Sequence, residues 1–579
     1  MTTETAAPAT GSHAAILHWP WAVAAAVMAA GVSAWGLAHG RLLLYGDATA
    51  HLMIARRMVD SRTPGLSQWG SVWLPFPHLL IAPFTLVMAW WRTGAAGAIV
   101  AVASFALATW FLHRLAARHF GAGVAHWAAL AFLLNPDLLY LAAVPMTEAV
   151  YIMAFVGAVD QISLARCGGT AGRAARATAA NRADDSGNIH VLGAGLWALA
   201  AAMTRYDGWF CLPFFALALL WPRARGTWHW AWGARFCAVA GIGPLFWFAY
   251  NQFYFGDWLN FLRGPYSARA IYLRALRHGG QRYPGDHHLL VAAQYFGKAA
   301  QLDCGWGLII LGILGVAVWL WRGAASRDAD LGPANGTVRA ERWVPALLLL
   351  PLPWYVWAVR SGNVPIFVPM YWPHGYYNLR YGVQVLAAAA VFSGVAVAAA
   401  AQWRGWGIER GDSRRGAPGA RTRFSLPVLF GGRRERGIWT LAGLIVLAGY
   451  LAMLGGVGPM TYAEAVHNAP ARLAMEHQLA AALGGWRPGE TVLMYVGSYP
   501  GALPDDSIPL RAVIQESNFR QWDQALEAPQ QHAEWVVFQA GSPLARGINR
   551  QALRRHFRVV ARFTAPLQPA ITVYRRQGR

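Results

Sequence analysis

The chain has 579 residues, of which 56% are hydrophobic and only 13% charged. Soluble domains carry roughly 25% charged residues, so this balance excludes an ordinary soluble enzyme and points to a polytopic membrane protein. The formal net charge of +22 is nearly all arginine, with Lys298 the single lysine, and these charges sit between apolar runs. They therefore report membrane topology before nucleic-acid binding. The four cysteines (Cys167, Cys211, Cys237 and Cys304) have no metal-ligand spacing, and none lies in the polar C-terminal region, so no disulfide framework is visible there.

The N-terminal segment "MTTETAAPATGSHAAILHW" lacks a basic stretch before its apolar run, which reads as an uncleaved first span. Runs of spanning length follow near 17–38, 95–113, 122–141, 149–165, 190–204, 209–221, 234–255, 304–321, 343–360, 382–402 and 438–457. The run "VWLPFPHLLIAPFTLVMAWW" (72–91) is long enough to cross but carries three prolines and His78. If it crosses, the basic connections fall on both sides; if it is re-entrant or interfacial, most share one side, as the positive-inside rule favours. The expectation is a mostly α transmembrane helical bundle of about eleven spans, with the N-terminus inside and a first extracytoplasmic loop at 39–94.

After about residue 458 the pattern changes. "AEAVHNAPARLAMEHQLAAALGG" reads as a helix, followed by a Pro488–Gly489 turn and the strand-like runs "TVLMYVG", "EWVVFQAG", "RVVARFT" and "ITVYRR". "NFRQWDQALEAP" and "INRQALRRHF" between them read as helices. The alternation predicts a small extracytoplasmic α/β domain at 458–579, after a transmembrane domain at 1–457.

Five polar clusters fall on the same expected face. "YGDATAHLMIARRMVDS" places Asp47 at the start of a helix, either as an N-cap or as a functional carboxylate. An apolar stripe of Leu52, Ala55 and Met58/Val59 predicts a helix on the membrane surface, leaving His51, Arg56 and Arg57 for solvent or ligand. In "NPDLLYLAAVPMTEAVY", Glu148 opens a span, again as a cap or a functional acid. "MTRYDGW" places Arg205, Tyr206 and Asp207 at a membrane boundary, where such triplets also serve as anchors. The segment beginning "YFGDWLNFLRGPYSARAIYLRALRHGG" carries Arg263, Arg269, Arg274 and Arg277 beside aromatic residues, a composition suited to a phosphate headgroup or to a solvated amphipathic helix. In "YWPHGYYNLRYGVQVLAAA", Asn378, Arg380 and Tyr381 open another span; a cation there opposes the helix dipole and so favours an anionic partner. Charges at membrane depth are functional candidates by default. The "DAD" at Asp328–Asp330 and the sequon at Asn335 lie in a loop expected to be cytoplasmic and read as coincidental.

The set "GDATAHLMIARRM", "WLPFPHLLIAPF", "MTEAVY", "TRYDGW" and "NLRYG", over residues 40–385, resembles the GT-C superfamily of integral-membrane glycosyltransferases. That superfamily includes the oligosaccharyltransferases, the protein O-mannosyltransferases (glycosyltransferase family 39) and the lipid A aminoarabinose transferases. The resemblance implies inverting transfer of a sugar from a polyprenyl-phosphate-linked donor to an extracytoplasmic lipid, glycan or protein acceptor, in a bacterial inner membrane. It makes Asp47 and Glu148 the catalytic acids, with Arg380, Arg269, Arg263 and Arg274 for the donor phosphate. His51, Arg205, Tyr206, Asp207, Asn378 and Tyr381 become sugar or acceptor contacts. The sequence departs from the superfamily in two places. Asp47 stands alone where O-mannosyltransferases have an acidic pair, and Met146 replaces the acid two residues before Glu148. A divalent cation on Asp47 and Glu148 is thus a candidate cofactor rather than a required one. A transporter or lipid flippase, and an envelope polysaccharide polymerase or ligase, stay open as alternatives.

Overall fold

The computed structural model describes residues 17–171, 180–222, 229–277, 279–325, 341, 343–402, 433–455, 458–565 and 568–577. Asp328–Asp330 and Asn335 lie outside these. Five helices are long and apolar enough to cross a membrane: Trp19–Ala38, Ala95–Phe120, Glu148–Cys167, Leu379–Gln402 and Arg434–Leu454. Leu289–Cys304 and Trp306–Arg322, bent by 113°, make a sixth if taken together. The remaining apolar helices (Phe76–Thr85, Ala122–Leu133, Gly187–Ala202, Tyr206–Leu220 and Val344–Arg360) have 10–17 residues. Ten residues rise about 15 Å, half of a bilayer core. The stretch around 72–91 forms two short helices, Phe76–Thr85 of 10 residues and Met88–Thr93 of 6, with Pro83 inside the first and neither of spanning length.

Small residues let the elements that carry polar groups approach closely. The Cβ of an alanine at Gly208 would lie 2.5 Å from the backbone of Ala201, so only glycine lets the Tyr206–Leu220 helix fold back on the preceding one. At Gly382 a Cβ would meet the backbone of Ala299 at 2.6 Å, which seats the start of the 379–402 span against the Leu289–Cys304 helix.

The helix Gly46–Val59 does not lie exposed on a surface. Its N-cap is Tyr45, with no side-chain cap, and Asp47 sits in its first turn. Arg56 and Arg57, expected to meet solvent, are buried: Arg56 binds Asp60 and the carbonyl of Thr85, and Arg57 the carbonyl of Gln68. The reason is tertiary. The Phe76–Thr85 helix and the C-terminal region cover the faces that periodicity alone assigned to water.

The C-terminal region begins with the helix Met460–Leu483 and contains a five-stranded sheet, β1 Val492–Met494, β2 Val513–Ile514, β3 Trp535–Gln539, β4 Phe557–Phe563 and β5 Ile571–Arg576. The strand order is β2-β1-β3-β5-β4; β1 is parallel to β2 and β3, and β5 is antiparallel to β3 and β4. Four of these strands occupy the apolar runs named above. The two-residue β2 carries too little pattern to be read. Among the described residues the helices Arg520–Glu527 and Arg550–His556 also fall where the sequence placed them.

Candidate active site

Four helix starts converge on one cavity of about 690 Å³. Asp47 comes from the first turn of Gly46–Val59 and Glu148 is the first residue of its helix. Arg205 occupies the N-cap position of Tyr206–Leu220, with Asp207 in its first turn. Arg380 opens the 3-10 turn Leu379–Val385 that leads into the next span. The side-chain bonds between different helix starts here join residues 57 to 333 positions apart in sequence.

Arg380 is the centre of the network. It is buried, and its Nη2 donates to Asp47 Oδ2 at 2.5 Å, its Nε to Glu148 Oε1 at 3.3 Å and its Nη1 to Glu464 Oε1 at 3.0 Å. Arg205 donates to the same Glu148 Oε1 at 3.3 Å, to Thr147 Oγ1 at 3.3 Å and to Tyr355 Oη at 3.0 Å. Tyr355 Oη in turn donates to Asp207 Oδ2 at 2.6 Å. The ring of Tyr381 lies against both guanidiniums, 4.6 Å from that of Arg205 and 5.0 Å from that of Arg380. Four carboxylates (Asp47, Glu148, Asp207 and Glu464) thus face two guanidiniums, leaving the cluster net negative when all are ionised.

The acids differ in access. The side chains of Glu148, Asp207 and Glu464 are at most 2% exposed, whereas that of Asp47 is 42% exposed. Glu148 Oε2 is buried without a hydrogen-bond partner. An orphaned buried carboxylate oxygen is costly, which marks this position as one that stores strain or receives a ligand proton.

Glu464 was not marked by sequence reasoning, because "TYAEAVH" reads as the opening of a surface helix. It is 1% exposed, accepts from the backbone N–H groups of Asn378 at 2.8 Å and Arg380 at 3.2 Å, and so caps the turn that carries Arg380. Burial pushes its carboxyl pKa upward, against the opposing pull of Arg380. The same helix holds the neighbourhood at two more points: Thr461 N donates to Asp137 Oδ1 at 2.6 Å, and Arg472 Nη2 to the carbonyl of Leu43 at 2.6 Å. Tyr355, inside the apolar run "PLPWYVW", was likewise unmarked.

The other candidates divide. His51 lines the cavity, with its Nδ1 2.9 Å from His78 Nε2 and its ring 4.6 Å from Trp73; burial lowers its pKa to about 4, so it is neutral at pH 7. Tyr206 lines the cavity but spends its hydroxyl on the carbonyl of Val72 at 2.6 Å. Asn378, in a left-handed conformation, turns its amide to the carbonyl of Pro365 and does not line the cavity. Arg269 lines the far end, held by the carbonyl of Ser361 at 2.7 Å. Arg263 lies outside the cavity, paired with Asp257 at 2.6 Å, and Arg274 is exposed and bonded to the carbonyl of Pro265. The same far end is apolar, walled by Trp209, Phe210, Phe248, Phe261 and Leu262.

Arg380 engages one oxygen of each of Asp47 and Glu148, so a cation bridging them would rest on the other oxygens, Asp47 Oδ1 and Glu148 Oε2, beside that guanidinium. Among the described residues no group of three or more His, Cys, Asp or Glu side chains gathers as a metal site.

No protein-family model matches this sequence, and no curated protein does. Among solved structures, ArnT from Cupriavidus metallidurans, bound to undecaprenyl phosphate, matches at 14% identity and a TM-score of 0.51 over 96% of this chain and 98% of that one. The chain shares the fold of that structure. The oligosaccharyltransferase of Archaeoglobus fulgidus, tethered to an acceptor peptide, is also similar, at 12% identity and a TM-score of 0.42 over 96% of this chain and 74% of that one. A second structure of that enzyme, AglB with an inhibitory peptide and a dolichol-phosphate, gives 12% and 0.44. Likeness at 14% identity speaks to the fold; what this chain does rests on its own cavity.

Proposed function

We propose that the chain is an inverting glycosyltransferase that moves a sugar from a polyprenyl-phosphate donor to an extracytoplasmic acceptor, with the cavity on the outer face of a bacterial inner membrane. The observation that carries this reading is a single accessible carboxylate, Asp47, fixed by a buried arginine in a cavity that Glu148, Asp207 and Arg205 also line and that carries an aromatic wall and Arg269. Asp47 is the general base. Its oxygen not engaged by Arg380 accepts the proton of the acceptor hydroxyl or amine as that atom bonds to the anomeric carbon. On the opposite face the bond from the anomeric carbon to the phosphate oxygen breaks, and its electron pair leaves with the lipid phosphate.

The cluster of four acids and two arginines favours positive charge at the anomeric carbon as the leaving group departs. Glu148, through its unpartnered Oε2, orients a sugar or acceptor hydroxyl. Arg380 is enclosed by three carboxylates, and its part is to aim Asp47 and Glu148; Arg269 meets the leaving phosphate. The aromatic wall suits an isoprenoid chain, and Arg205, Asp207, Tyr381 and neutral His51 bound the sugar. No step runs through a metal ion.

The test uses the purified full chain with a polyprenyl-phosphate sugar. Asp47→Asn keeps the bond to Arg380 and removes the base, so kcat falls about 100-fold or more with the melting temperature unchanged. Undiminished transfer by that variant would remove Asp47 from the chemistry.

A further inference from the structure

Past Leu262, Ser267, Arg269, Ser361 and Asn363, which line both, the cavity is joined by a second chamber of about 610 Å³. Its charge balance differs. Three acids (Asp47, Glu148 and Asp207) and three arginines (Arg205, Arg269 and Arg380) line the inner cavity, whereas the outer chamber is lined by Arg263, Arg269, Arg360 and His287 with no carboxylate among its lining residues. The nearby acids are already engaged: Asp257 pairs with Arg263, and buried Asp286 accepts from Tyr272 Oη at 2.8 Å and lies 3.6 Å from His287. Among the described residues, Arg269 and Arg360 pair with no carboxylate.

A helix-end arginine such as Arg360 has a simpler explanation, since a cation there is favoured by the helix dipole, and its guanidinium also lies over Trp357 at 5.1 Å. That explanation does not cover His287. It adopts a left-handed backbone conformation with φ 62°, which costs a residue bearing a Cβ about 1–2 kcal/mol. Its N–H donates to the carbonyl of Arg360 at 2.8 Å, so the strained turn fixes the histidine beside the arginine at the chamber wall. Strain of this kind is retained where a site over-determines it.

We infer that the outer chamber is a second anion site, taking a phosphate group carried by the acceptor on Arg360, His287 and Arg263, with Arg269 shared between the chambers. Guanidinium forks match phosphate oxygens two at a time, and one arginine carries five donors, enough to serve both sides of a wall. An acceptor anchored there extends its nucleophilic group past Arg269 toward Asp47. Leu262 and Leu273, 46% and 37% exposed, rim the chamber and fit an amphipathic acceptor, though a soluble glycan phosphate offers the same oxyanion. The inference rests on the transferase reading for the word acceptor, but not for the site.

The experiment is calorimetric titration of the full chain, in phosphatidylcholine nanodiscs, with inorganic phosphate, with and without saturating polyprenyl phosphate. Phosphate is expected to bind in both cases, and Arg360→Gln to weaken it about tenfold, the worth of one charge-assisted hydrogen bond. His287→Gly relieves the strained turn, so it folds at least as well as the parent chain yet also loses phosphate affinity. Phosphate affinity unchanged in both variants, or displacement of phosphate by polyprenyl phosphate, overturns the site; displacement would assign the chamber to the donor. Stronger competition by phosphatidic acid in the nanodisc than by a soluble sugar phosphate supports a lipid acceptor, and the reverse order a soluble one. None of these readouts needs sugar transfer, so phosphate binding without transfer would refute the proposed function alone.

Discussion

Arg380 and His51 show how a residue's surroundings reassign it. A lone arginine opening a span reads as a phosphate ligand, but three carboxylates already claim its guanidinium, so its charge is used inside the protein. Glu464 is one of the three, and Glu464→Gln leaves the volume and, with one amide oxygen in place of two carboxylate oxygens, one of the two backbone caps, while removing the charge. The expected result is a kcat about tenfold lower with KM changed less than twofold, because the arginine that aims Asp47 is loosened; removing a charged hydrogen bond costs about 1.5–3 kcal/mol. Steady-state kinetics would exclude this role if KM alone moved. His51 makes a pH prediction. Its folded pKa of about 4 lies below the ordinary 6.5, so between these values the unfolded chain binds the extra proton and stability rises with pH. Acidification from pH 6.5 to about 4 therefore costs the fold up to about 3 kcal/mol through this one group. His51→Asn, which retains a donor and an acceptor where Nδ1 stood, should flatten that part of the curve of melting temperature against pH. An identical slope in the variant would assign the loss to other groups.

At the scale of elements, hydropathy made the apolar runs legible and charge asymmetry ordered them, but neither encodes where two elements touch. The run at 382–402 lies within the span Leu379–Gln402, nearly all of the run at 304–321 falls in the helix Trp306–Ala325, and the alternating C-terminal pattern falls within a sheet. By contrast, the stretch Gly46–Val59 carries an amphipathic pattern that describes a surface helix equally well. Arg56 and Arg57 are buried by tertiary partners that the pattern does not encode, Thr85 and Trp91 for the first and the Gln68 carbonyl for the second. Sequence left cap and functional carboxylate open for the same reason: Asp47 and Glu148 stand in the first turns of their helices, and their carboxylates are drawn to arginines from other helices. Contacts of this kind are set by glycines whose role sequence alone does not separate. Gly208→Ala would place a methyl 2.5 Å from the backbone of Ala201, which cannot yield without moving the turn that carries Arg205 and Asp207. The expected outcome is a transfer rate at least tenfold lower, with a lower melting temperature. Gly297→Ala, in the middle of the Leu289–Cys304 helix with nothing within 4 Å, is the control and should gain roughly 0.5–1 kcal/mol from helix propensity. Equal behaviour of the two variants would mean that the close approach at Gly208 does not position the site.

Across the whole molecule, the C-terminal region is docked on the segment after the first helix and supplies Glu464 to the candidate site. Arg511 pairs with Asp60 at 2.9 Å, Gln515 donates to Gln68 at 3.2 Å and Asn518 to Thr63 at 2.9 Å, so the sheet's loops close over the loop that carries Asp47. The helix Met460–Leu483 links the two. Its Arg472 donates to the carbonyls of Leu43 and Leu44 at 2.6 and 3.1 Å and pairs with Glu476 at 2.5 Å, a carboxylate whose side chain is 5% exposed. The carbonyls belong to the segment that delivers Asp47, so Arg472 holds the proposed general base in place from the C-terminal region without lining the cavity. Arg472→Ala leaves those carbonyls and a buried carboxylate without their donor, a loss of about 3–5 kcal/mol by comparison with other broken buried pairs. The melting temperature should fall by several degrees, and kcat should fall while phosphate binding in the outer chamber stays as it was. Arg472→Lys retains the charge but cannot reach two carbonyls and a carboxylate with one ammonium geometry, so it should recover stability more than rate. If lysine restored both equally, the clamp on Leu43 and Leu44 would be a matter of charge alone, and the geometric link between the C-terminal helix and Asp47 would be wrong.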